Sequence, residues 1–269
     1  MLGLNIGFEV VEMPKHEGQK LKRQLVDIES AFDEFVEEFG GEVILKHLPA
    51  NPPENADYLF RNEMVIAELK CLQKDTIGSD DFQERLLDLY RQWERNGLIT
   101  LAELLAIQRR EKCLSEKCRH DLGELIKGPI EGVIKKANKQ IKSSKQYFGL
   151  PEAKGLLLLA SDGNYSIDPE GAAWVLQRIL FDGFSAINEV VYFTVNMDVH
   201  FEGSEPYGPI WMHSYRMGKA RISDVFQRRL MAGWVEFYGR KIGHFVPRTD
   251  LPNTEVAKKL RFQSHPRRP

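Results

Sequence analysis

Apolar residues recur at helical spacing over residues 19–39, where every third or fourth position is large and hydrophobic. This periodicity predicts an amphipathic helix whose opposite face is acidic. Gly40 and Gly41 are expected to end it, because glycine readily adopts the left-handed conformation that follows many helices. The next segment, residues 42–48, contains β-branched residues and is predicted to be the first core strand.

Residues 56–61 and 64–70 are predicted to form a β-hairpin. The second segment is strongly apolar, and Asn62 between them tolerates the positive φ that a two-residue hairpin loop requires. With residues 62–63 as the loop, Phe60 pairs with Val65.

The same register brings acidic side chains together. It places Asp57 directly opposite Glu68, with their Cβ atoms about 5 Å apart. Because side chains alternate between the faces of a strand, Lys70 shares a face with Glu68. Two unneutralised carboxylates at this distance repel each other and raise a pKa. The pattern therefore predicts either a divalent cation, for which oxygen ligands favour Mg²⁺ or Mn²⁺, or a solvated edge hairpin whose charges have no function.

Helical segments separate this hairpin from the next predicted strand. Residues 80–96 carry an apolar stripe, and residues 98–125 form a second helical stretch. Pro129 is predicted to begin a third helix that continues to about residue 148, because proline is tolerated in the first turn. The helices within residues 80–128 are expected to cover a cleft or to pair two subunits as a homodimer. A continuous apolar run over residues 155–160 then predicts a buried strand.

The C-terminal part continues the alternation of helices and strands. The predicted elements are a helix that Asp168 caps and that runs from Pro169 to Phe181, strands over residues 189–196 and 210–216, and a helix over residues 223–239. Residues 258–269 are basic, contain proline and show no periodicity, which is typical of a mobile tail.

Composition constrains the class of protein more than its chemistry. The chain has 269 residues, of which 42% are hydrophobic and 28% charged, as in ordinary globular proteins. No apolar run approaches the roughly 20 residues that span a bilayer, and the first residues lack the basic start of a signal peptide. Three cysteines without a disulfide framework favour the cytoplasm. Because the net charge is −2, nucleic-acid binding would depend on local basic patches.

The spacing of the charged hairpin residues resembles the PD-(D/E)xK nuclease superfamily, in which an acidic residue on one strand is followed by Glu-x-Lys on the next. Here Asp57 supplies the first acid, and the Glu-Leu-Lys segment 68–70 follows after ten residues. The proline of the family name is displaced, because Pro52 and Pro53 precede Asp57 by several residues. The resemblance covers roughly residues 19–160.

This resemblance implies a restriction-endonuclease-like core within an α/β fold, meaning a mixed central sheet flanked by helices. It also implies that Asp57, Glu68 and the backbone carbonyl of Leu69 hold one or two Mg²⁺ or Mn²⁺ ions. Lys70 would then orient the attacking water or stabilise charge in the transition state.

The resemblance extends to accessory residues. In some members a glutamate of the first helix joins the metal site, and the candidates here are Glu34, Glu37 and Glu38. In the exonuclease branch, the helix before the fourth strand carries Gln followed four residues later by Tyr. Gln140 matches the first of these positions, whereas Ser144 replaces the aromatic residue.

The helix predicted after Pro129 is rich in lysine. Charge runs on helices are usually solvated faces, but the family arrangement lays this helix beside the cleft, where phosphate contacts become equally plausible. The candidate nucleic-acid-binding side chains are Lys136, Lys139, Lys142 and Lys145.

These features predict a Mg²⁺-dependent endonuclease that hydrolyses phosphodiester bonds, with DNA favoured as substrate and bacterial defence or repair as the setting. Walker, G-x-S-x-G and H-E-x-x-H motifs are absent from the sequence. One alternative is a catalytically silent nuclease-fold protein that binds nucleic acid or takes part in an assembly. A helical interaction protein is another, and it requires that residues 42–70 are not strands.

The predicted domain organisation has three parts. Residues 1–160 form the nuclease-like core, including a helical insertion at about 80–128. Residues 161–257 extend the same α/β domain with additional strands and a helix, and residues 258–269 form the basic tail.

Overall fold

The computed structural model describes most of the chain, in ranges that together contain every element discussed below. These ranges are residues 6–10, 25–50, 52–109, 111–166, 169–181, 183–197, 199–201, 206–215, 218–243, 249–251 and 260–262. Within them the chain is an α/β protein in which helices cover both faces of a mixed sheet, which confirms the predicted class.

The main sheet contains eight strands of the described chain, and their spatial order differs from their order in sequence. From edge to edge they are β10 (Thr249–Leu251), β1 (Ile6–Val10), β9 (Ile210–Tyr215), β6 (Glu189–Thr194), β5 (Lys154–Ser161), β4 (Val65–Leu72), β3 (Tyr58–Phe60) and β2 (Glu42–Val43). The neighbours β4, β5 and β6 run parallel, and the other adjacent pairs are antiparallel. A second, small sheet contains β11 (Leu260–Phe262), β7 (Val199–Phe201) and β8 (Pro206–Gly208).

Helices form a layer on each face of the main sheet. One face packs against α4 (Glu116–Tyr147) and α5 (Pro169–Phe181), and the other packs against α1 (Ile28–Phe39) and α6 (Asp224–Ile242). The helices α2 (Asp80–Arg95) and α3 (Leu101–Gln108) form a small separate core with the start of α4 around Trp93, Ile99 and Cys118. None of the described helices combines the length and apolar character needed to cross a bilayer.

The alternation of side chains along β4 decides which helix layer each residue meets. Val65, Ala67 and Leu69 belong to the core beneath α1 and α6, whereas Ile66 belongs to the core beneath α4 and α5. The even-numbered residues after Ile66 therefore point toward α4. This alternation puts Glu68 and Lys70 between the sheet and the long helix.

Several predicted elements form where their local pattern placed them. The predictions for residues 80–96, 155–160, 189–196, 210–216 and 223–239 correspond to α2, β5, β6, β9 and α6. Pro169 is the first residue of α5 and Phe181 its last, as predicted, whereas Asp168 lies outside the described residues.

The first helix is shorter than its apolar periodicity predicted. Its end is confirmed, because Gly40 follows it in the left-handed conformation with φ 93°. Its start is not, because residues 25–27 are non-helical and Asp27 caps the helix by accepting a hydrogen bond from the Ser30 N–H at 2.9 Å. An N-cap residue has non-helical dihedrals, so it fixes where the helix begins regardless of apolar residues upstream. Residues 19–24 lie outside the described ranges.

The strand predicted over residues 42–48 is wrong beyond its first two residues. After β2 the chain enters a 3-10 helix, Ile44–His47. The Ile44 N–H donates to the Asp57 carbonyl at 2.8 Å, and Ile44 is buried while Leu45 is 64% exposed. A short apolar run fits a buried turn as well as a strand, which is why periodicity did not distinguish them.

The helical segments before β5 are divided differently from the prediction. The stretch 98–125 breaks between α3 and α4, because Thr100 and Ser115 each cap a new helix with their side chains. Pro129, predicted to start a helix, lies inside α4. Proline removes one backbone hydrogen bond there, but α4 has already begun at the Ser115 cap and continues through it.

The C-terminal segment also differs in part. Leu260–Phe262 pairs antiparallel with β7 as β11, so the prediction of a tail without regular structure is wrong for these three residues. The rest of the predicted tail lies outside the described residues. The main sheet itself includes strands from both the predicted core and the predicted extension.

Candidate functional site

The β3–β4 hairpin has the register that the sequence predicted. Phe60 pairs with Val65, and the ladder continues toward Asp57 and Glu68. The Asp57 N–H donates to the Ala67 carbonyl at 3.2 Å, so the backbone remains paired up to the acidic residue. Asp57 and Glu68 are therefore cross-strand neighbours at the end of β3.

The turn of the hairpin differs from the prediction. The residue with positive φ is Met64, at 53°, and not Asn62. The Met64 N–H donates to the Arg61 carbonyl at 3.1 Å, which closes a turn over residues 61–64. This turn joins the same pairing residues as the expected two-residue loop, so the register is unchanged.

The structure brings Asp57, Glu68 and Lys70 together. Glu68 is fully buried, and its carboxyl group lies close enough to that of Asp57 for the charge of Asp57 to raise its pKa. The Lys70 ammonium forms an ion pair with Oε1 of Glu68. On the other side, Oδ2 of Asp57 accepts a hydrogen bond from the Leu69 backbone N–H at 2.7 Å.

The backbone carbonyl of Leu69 points toward the same end of β3 as the Asp57 carboxylate. In an extended strand the N–H and C=O of one residue point toward the same neighbouring strand. Since the Leu69 N–H points at the Asp57 carboxylate, the carbonyl of Leu69 points past the end of β3 as well. Two carboxyl groups and a backbone carbonyl thus offer oxygen atoms at one end of the hairpin.

Burial strongly perturbs the titration of both acids. Burial together with the charge of Asp57 raises the pKa of Glu68 to about 8, against the opposing effect of the ion pair with Lys70. Burial also raises the pKa of Asp57, against the effect of the Leu69 N–H. The two carboxyl groups therefore titrate as a coupled pair.

One oxygen of this pair lacks a partner. Oε2 of Glu68 is buried without a hydrogen bond from any described residue. A buried acceptor left unpaired costs about 1–3 kcal/mol, and more when it is charged. A proton shared with Asp57 or a bound cation would offset that cost. An unpaired carboxylate oxygen of this kind is therefore suited to a metal site.

Two side chains of α4 hold the backbone that leads into Asp57. The Ser144 hydroxyl accepts a hydrogen bond from the Ala56 N–H at 2.8 Å, and Nε2 of Gln140 donates to the Asn55 carbonyl at 2.9 Å. Oε1 of Gln140 is buried and has no hydrogen-bond partner within the described chain. Gln140 and Ser144 therefore position Asp57 from the side of α4. The sequence pattern did not indicate this role for Ser144.

Asp33 is the acidic residue of α1 whose charge acts on this site. It accepts a hydrogen bond from the Tyr58 hydroxyl at 3.0 Å, and its charge contributes to the raised pKa of Asp57. The sequence does not distinguish this residue, because nothing in the helical pattern separates Asp33 from its acidic neighbours.

The three glutamates that were candidates for this role form ion pairs elsewhere. Their carboxylates are at least partly exposed, and two of them contact the basic last turn of α6. The pairs are Glu34–Lys241, Glu37–Lys46 and Glu38–Arg240. The structure therefore does not bring Glu34, Glu37 or Glu38 to Asp57 and Glu68.

The lysines of α4 divide into two groups. Lys136, Lys139 and Lys142 are exposed. Lys145 is half-buried and donates to the Ala186 carbonyl at 3.2 Å, and burial lowers its pKa. Lys145 thus secures the loop before β6 and is not part of the exposed basic surface. By helical spacing, Lys136 lies one turn from Gln140 on the side of the site.

No protein-family model, curated protein or solved structure matches this chain. The geometry of the site itself is therefore the basis for the function proposed below.

Proposed function

We propose that this protein is a Mg²⁺-dependent nuclease that hydrolyses phosphodiester bonds, with Asp57, Glu68 and Lys70 as its reactive groups and a restriction-endonuclease-like core as its scaffold. The observation that carries the proposal is the convergence of two carboxyl groups on one another in a largely buried position. Glu68 is fully buried, keeps one oxygen without a partner in the described chain, and has a lysine beside it. A protein gains no stability from a repulsive pair placed there, which favours a functional reason for it.

The residues present fit Mg²⁺ better than a softer metal. The described residues contain no group of three or more His, Cys, Asp or Glu side chains placed to hold an ion. Mg²⁺ usually keeps several waters and binds proteins through one or two carboxylates. Asp57 and Glu68, with the Leu69 carbonyl, would therefore hold Mg²⁺ or Mn²⁺ in a partly hydrated form.

The roles of the side chains follow from their contacts. A bound divalent cation would supply Lewis-acid polarisation of the phosphate and lower the pKa of bound water. Asp57 and Glu68 would hold it once their shared proton has left. The Lys70 side chain forms an ion pair with Glu68 beside these acids, so its positive charge would stabilise the negative charge that develops on the phosphate.

DNA is the favoured substrate, with bacterial defence or repair as the proposed setting and the cytoplasm as the proposed location. The exposed lysines Lys136 and Lys139 support this proposal, because α4 also carries the side chains that position Asp57. Cations along such a helix would contact backbone phosphates without reading sequence.

Pairing of two copies through the helical insertion is the proposed assembly. Large apolar side chains in and beside α2 and α3 are exposed, which supports burial against a second copy. These are Leu87 (51% exposed), Leu98 (39%), Leu101 (64%) and Leu105 (44%). Replacing Leu101 and Leu105 by glutamate should then leave a monomer in light-scattering measurements, and a dimer that persists would place the interface elsewhere.

A catalytically silent nucleic-acid-binding protein is the second candidate, and one observation favours it. Lys70 already neutralises Glu68 through their ion pair, so the site can exist without a cation. In that case the acidic pair would hold a proton and the lysine helix would supply the binding surface.

Purified protein should be tested on supercoiled plasmid, single-stranded DNA and single-stranded RNA with Mg²⁺, Mn²⁺ or a chelator. We expect metal-dependent cleavage that Glu68→Gln abolishes, together with a rise in wild-type melting temperature at millimolar Mg²⁺. A folded wild type that neither cleaves any substrate nor shifts its melting temperature with metal would favour the silent binding protein.

A further inference from the structure

Beyond Lys70, the same face of β4 opens into a cleft of about 270 Å³. Leu72 forms part of its wall, and Lys70 lies two residues earlier on the same face of the strand. Two residues of strand advance the chain by about 6.6 Å. The cleft therefore adjoins the lysine that the proposed function directs at a phosphate group.

The walls of the cleft combine apolar surfaces with polar edges. Leu72 on the sheet side and Ile130 and Val133 on α4 supply aliphatic surface, whereas Thr76 and Asn164 supply polar groups. Ligand sites commonly have this division, in which apolar walls supply contact area and a few polar atoms fix orientation.

Asn164 presents a hydrogen-bond acceptor without a partner at the wall of the cleft. Asn164 is 6% exposed, and its Oδ1 atom is buried with no hydrogen-bond partner among the described residues. An unpaired buried acceptor is unfavourable unless a ligand or water donates to it. A neighbouring cavity of about 10 Å³, which Asn164 also lines, has room for at most one water.

We propose that this cleft is a subsite for a nucleobase, which rests on the proposed nuclease function and extends it to the base beside the scissile phosphate. A base is flat, so its faces would lie against the aliphatic walls from β4 and α4. Each of the common bases carries an N–H group on its hydrogen-bonding edge, and that group would donate to Oδ1 of Asn164. Enzymes that bind an unstacked base use this combination of apolar contact and edge recognition.

The subsite has a consequence for the substrate. A base reaches such a cleft only when it is unpaired or has been turned out of the helix. The enzyme is therefore expected to prefer single-stranded, mismatched or frayed substrates over intact duplex. An abasic nucleotide beside the scissile phosphate should lower the rate of cleavage there.

The test is a metal-free binding titration, in which no cleavage occurs and base binding is separated from catalysis. Nucleoside 5′-monophosphates are compared with ribose 5-phosphate, which carries the same sugar and phosphate without a base. We expect the mononucleotides to bind about tenfold or more tightly than ribose 5-phosphate, since only they fill the apolar walls. Equal affinity for the two probes, or no mononucleotide binding at millimolar concentration, would overturn the proposal.

Two variants locate the binding in the cleft. Asn164→Leu replaces an unpaired buried amide by an apolar group of similar shape, so the protein should remain folded while mononucleotide affinity falls about five- to tenfold. Val133→Phe should fill the cleft and abolish the difference between mononucleotide and ribose 5-phosphate. Val225→Phe is the matched control, because Val225 is 59% exposed on α6. Unchanged base-dependent binding in both cleft variants would place the base elsewhere and refute the subsite.

Failure of the subsite and failure of the nuclease function give different results. If wild type cleaves nucleic acid but binds the two probes equally, the nuclease proposal stands and the base subsite falls. If base-dependent binding requires Asn164 but no metal supports cleavage, the subsite stands in a protein that binds nucleic acid without cutting it. A water in place of the base would leave probe affinity unaffected by Asn164→Leu.

Discussion

The Ser144 hydroxyl accepts a hydrogen bond from the Ala56 N–H at 2.8 Å, across 88 positions of the chain. Both residues are fully buried. The bond ties the last turn of α4, the longest helix that covers the sheet, to the residue directly before Asp57. The position of one acid of the candidate site is thus set by a helix that the hairpin meets only in the folded protein.

Ser144→Ala should lower the free energy of unfolding by about 1–3 kcal/mol, because the buried Ala56 N–H loses its acceptor. The matched control is Ser143→Ala, which makes the same change in helix propensity on the same helix. Denaturant unfolding of the two variants measures the difference. Equal stabilities would show that water replaces the hydroxyl and that Ser144 does not position the strand.

The stability of the metal-free protein should fall as pH rises from about 4.5 to about 8. The folded pKa of Glu68 is raised to about 8, whereas an unfolded glutamate titrates near 4.5. The folded state therefore holds more protons over this window, and the free energy of unfolding decreases with increasing pH, by up to a few kcal/mol. Denaturant titrations in a chelator at several pH values measure the slope.

Glu68→Gln should flatten that pH dependence, since the amide carries no titrating proton. The control is Glu236→Gln, because the Glu236 side chain is 76% exposed. Mg²⁺ should oppose the loss of wild-type stability and should bind more tightly at higher pH, because binding requires the proton to leave. A wild-type slope that survives in Glu68→Gln would assign the titration to another group.

Asp57→Asn should stabilise the metal-free protein at neutral pH by about 1 kcal/mol, because it removes the charge that faces Glu68. The amide oxygen still accepts the Leu69 N–H, and the new amide N–H₂ can donate to the unpaired Oε2 of Glu68. The same change should abolish the Mg²⁺-dependent rise in melting temperature. Destabilisation of the metal-free variant would instead indicate a structural ion cluster.

Lys70→Ala should reduce cleavage by about 10²-fold or more, because it removes the cation proposed to stabilise the transition state. The fold should survive, since loss of the ion pair raises the pKa of Glu68 further and the buried carboxyl stays protonated. Lys241→Ala, on the opposite helix layer, is the control. Single-turnover cleavage rates test the effect, and a variant with wild-type rate would exclude Lys70 from the chemistry.

Replacing Lys136 and Lys139 by alanine should weaken DNA binding and reduce the slope of log affinity against log salt by about two, one for each lost phosphate contact. Lys46 and Lys241 lie outside α4, on the 3-10 helix and on α6, so their double replacement is a control of equal charge. Fluorescence anisotropy over a range of salt concentrations gives both slopes. Equal losses in the two double variants would show that α4 contributes general charge and no defined contact surface.

The sequence by itself determined those features that depend on neighbours a few residues apart. Alternation along β4 and the short turn before it fixed the register, and the register placed Asp57 opposite Glu68 with Lys70 on the same face. The apolar run of β5 and the periodicity of α6 likewise identified those elements. These patterns are local because backbone sterics and side-chain alternation repeat every two to four residues.

Only the tertiary structure decided which side chains surround that pair. A helical wheel puts Asp33 and Glu34 on opposite flanks of the apolar stripe of α1, and it does not reveal which flank meets the sheet. In the folded protein Glu34 forms an ion pair with Lys241 of α6, whereas Asp33 accepts a hydrogen bond from Tyr58.

The support of Asp57 by Ser144 and the burial that raises the pKa of Glu68 depend in the same way on where α4 lies. Packing joins surfaces that are far apart in the chain, and their fit depends on the shape of both partners together. No spacing within one segment records that fit, so the acidic pair was visible in the sequence and its environment was not.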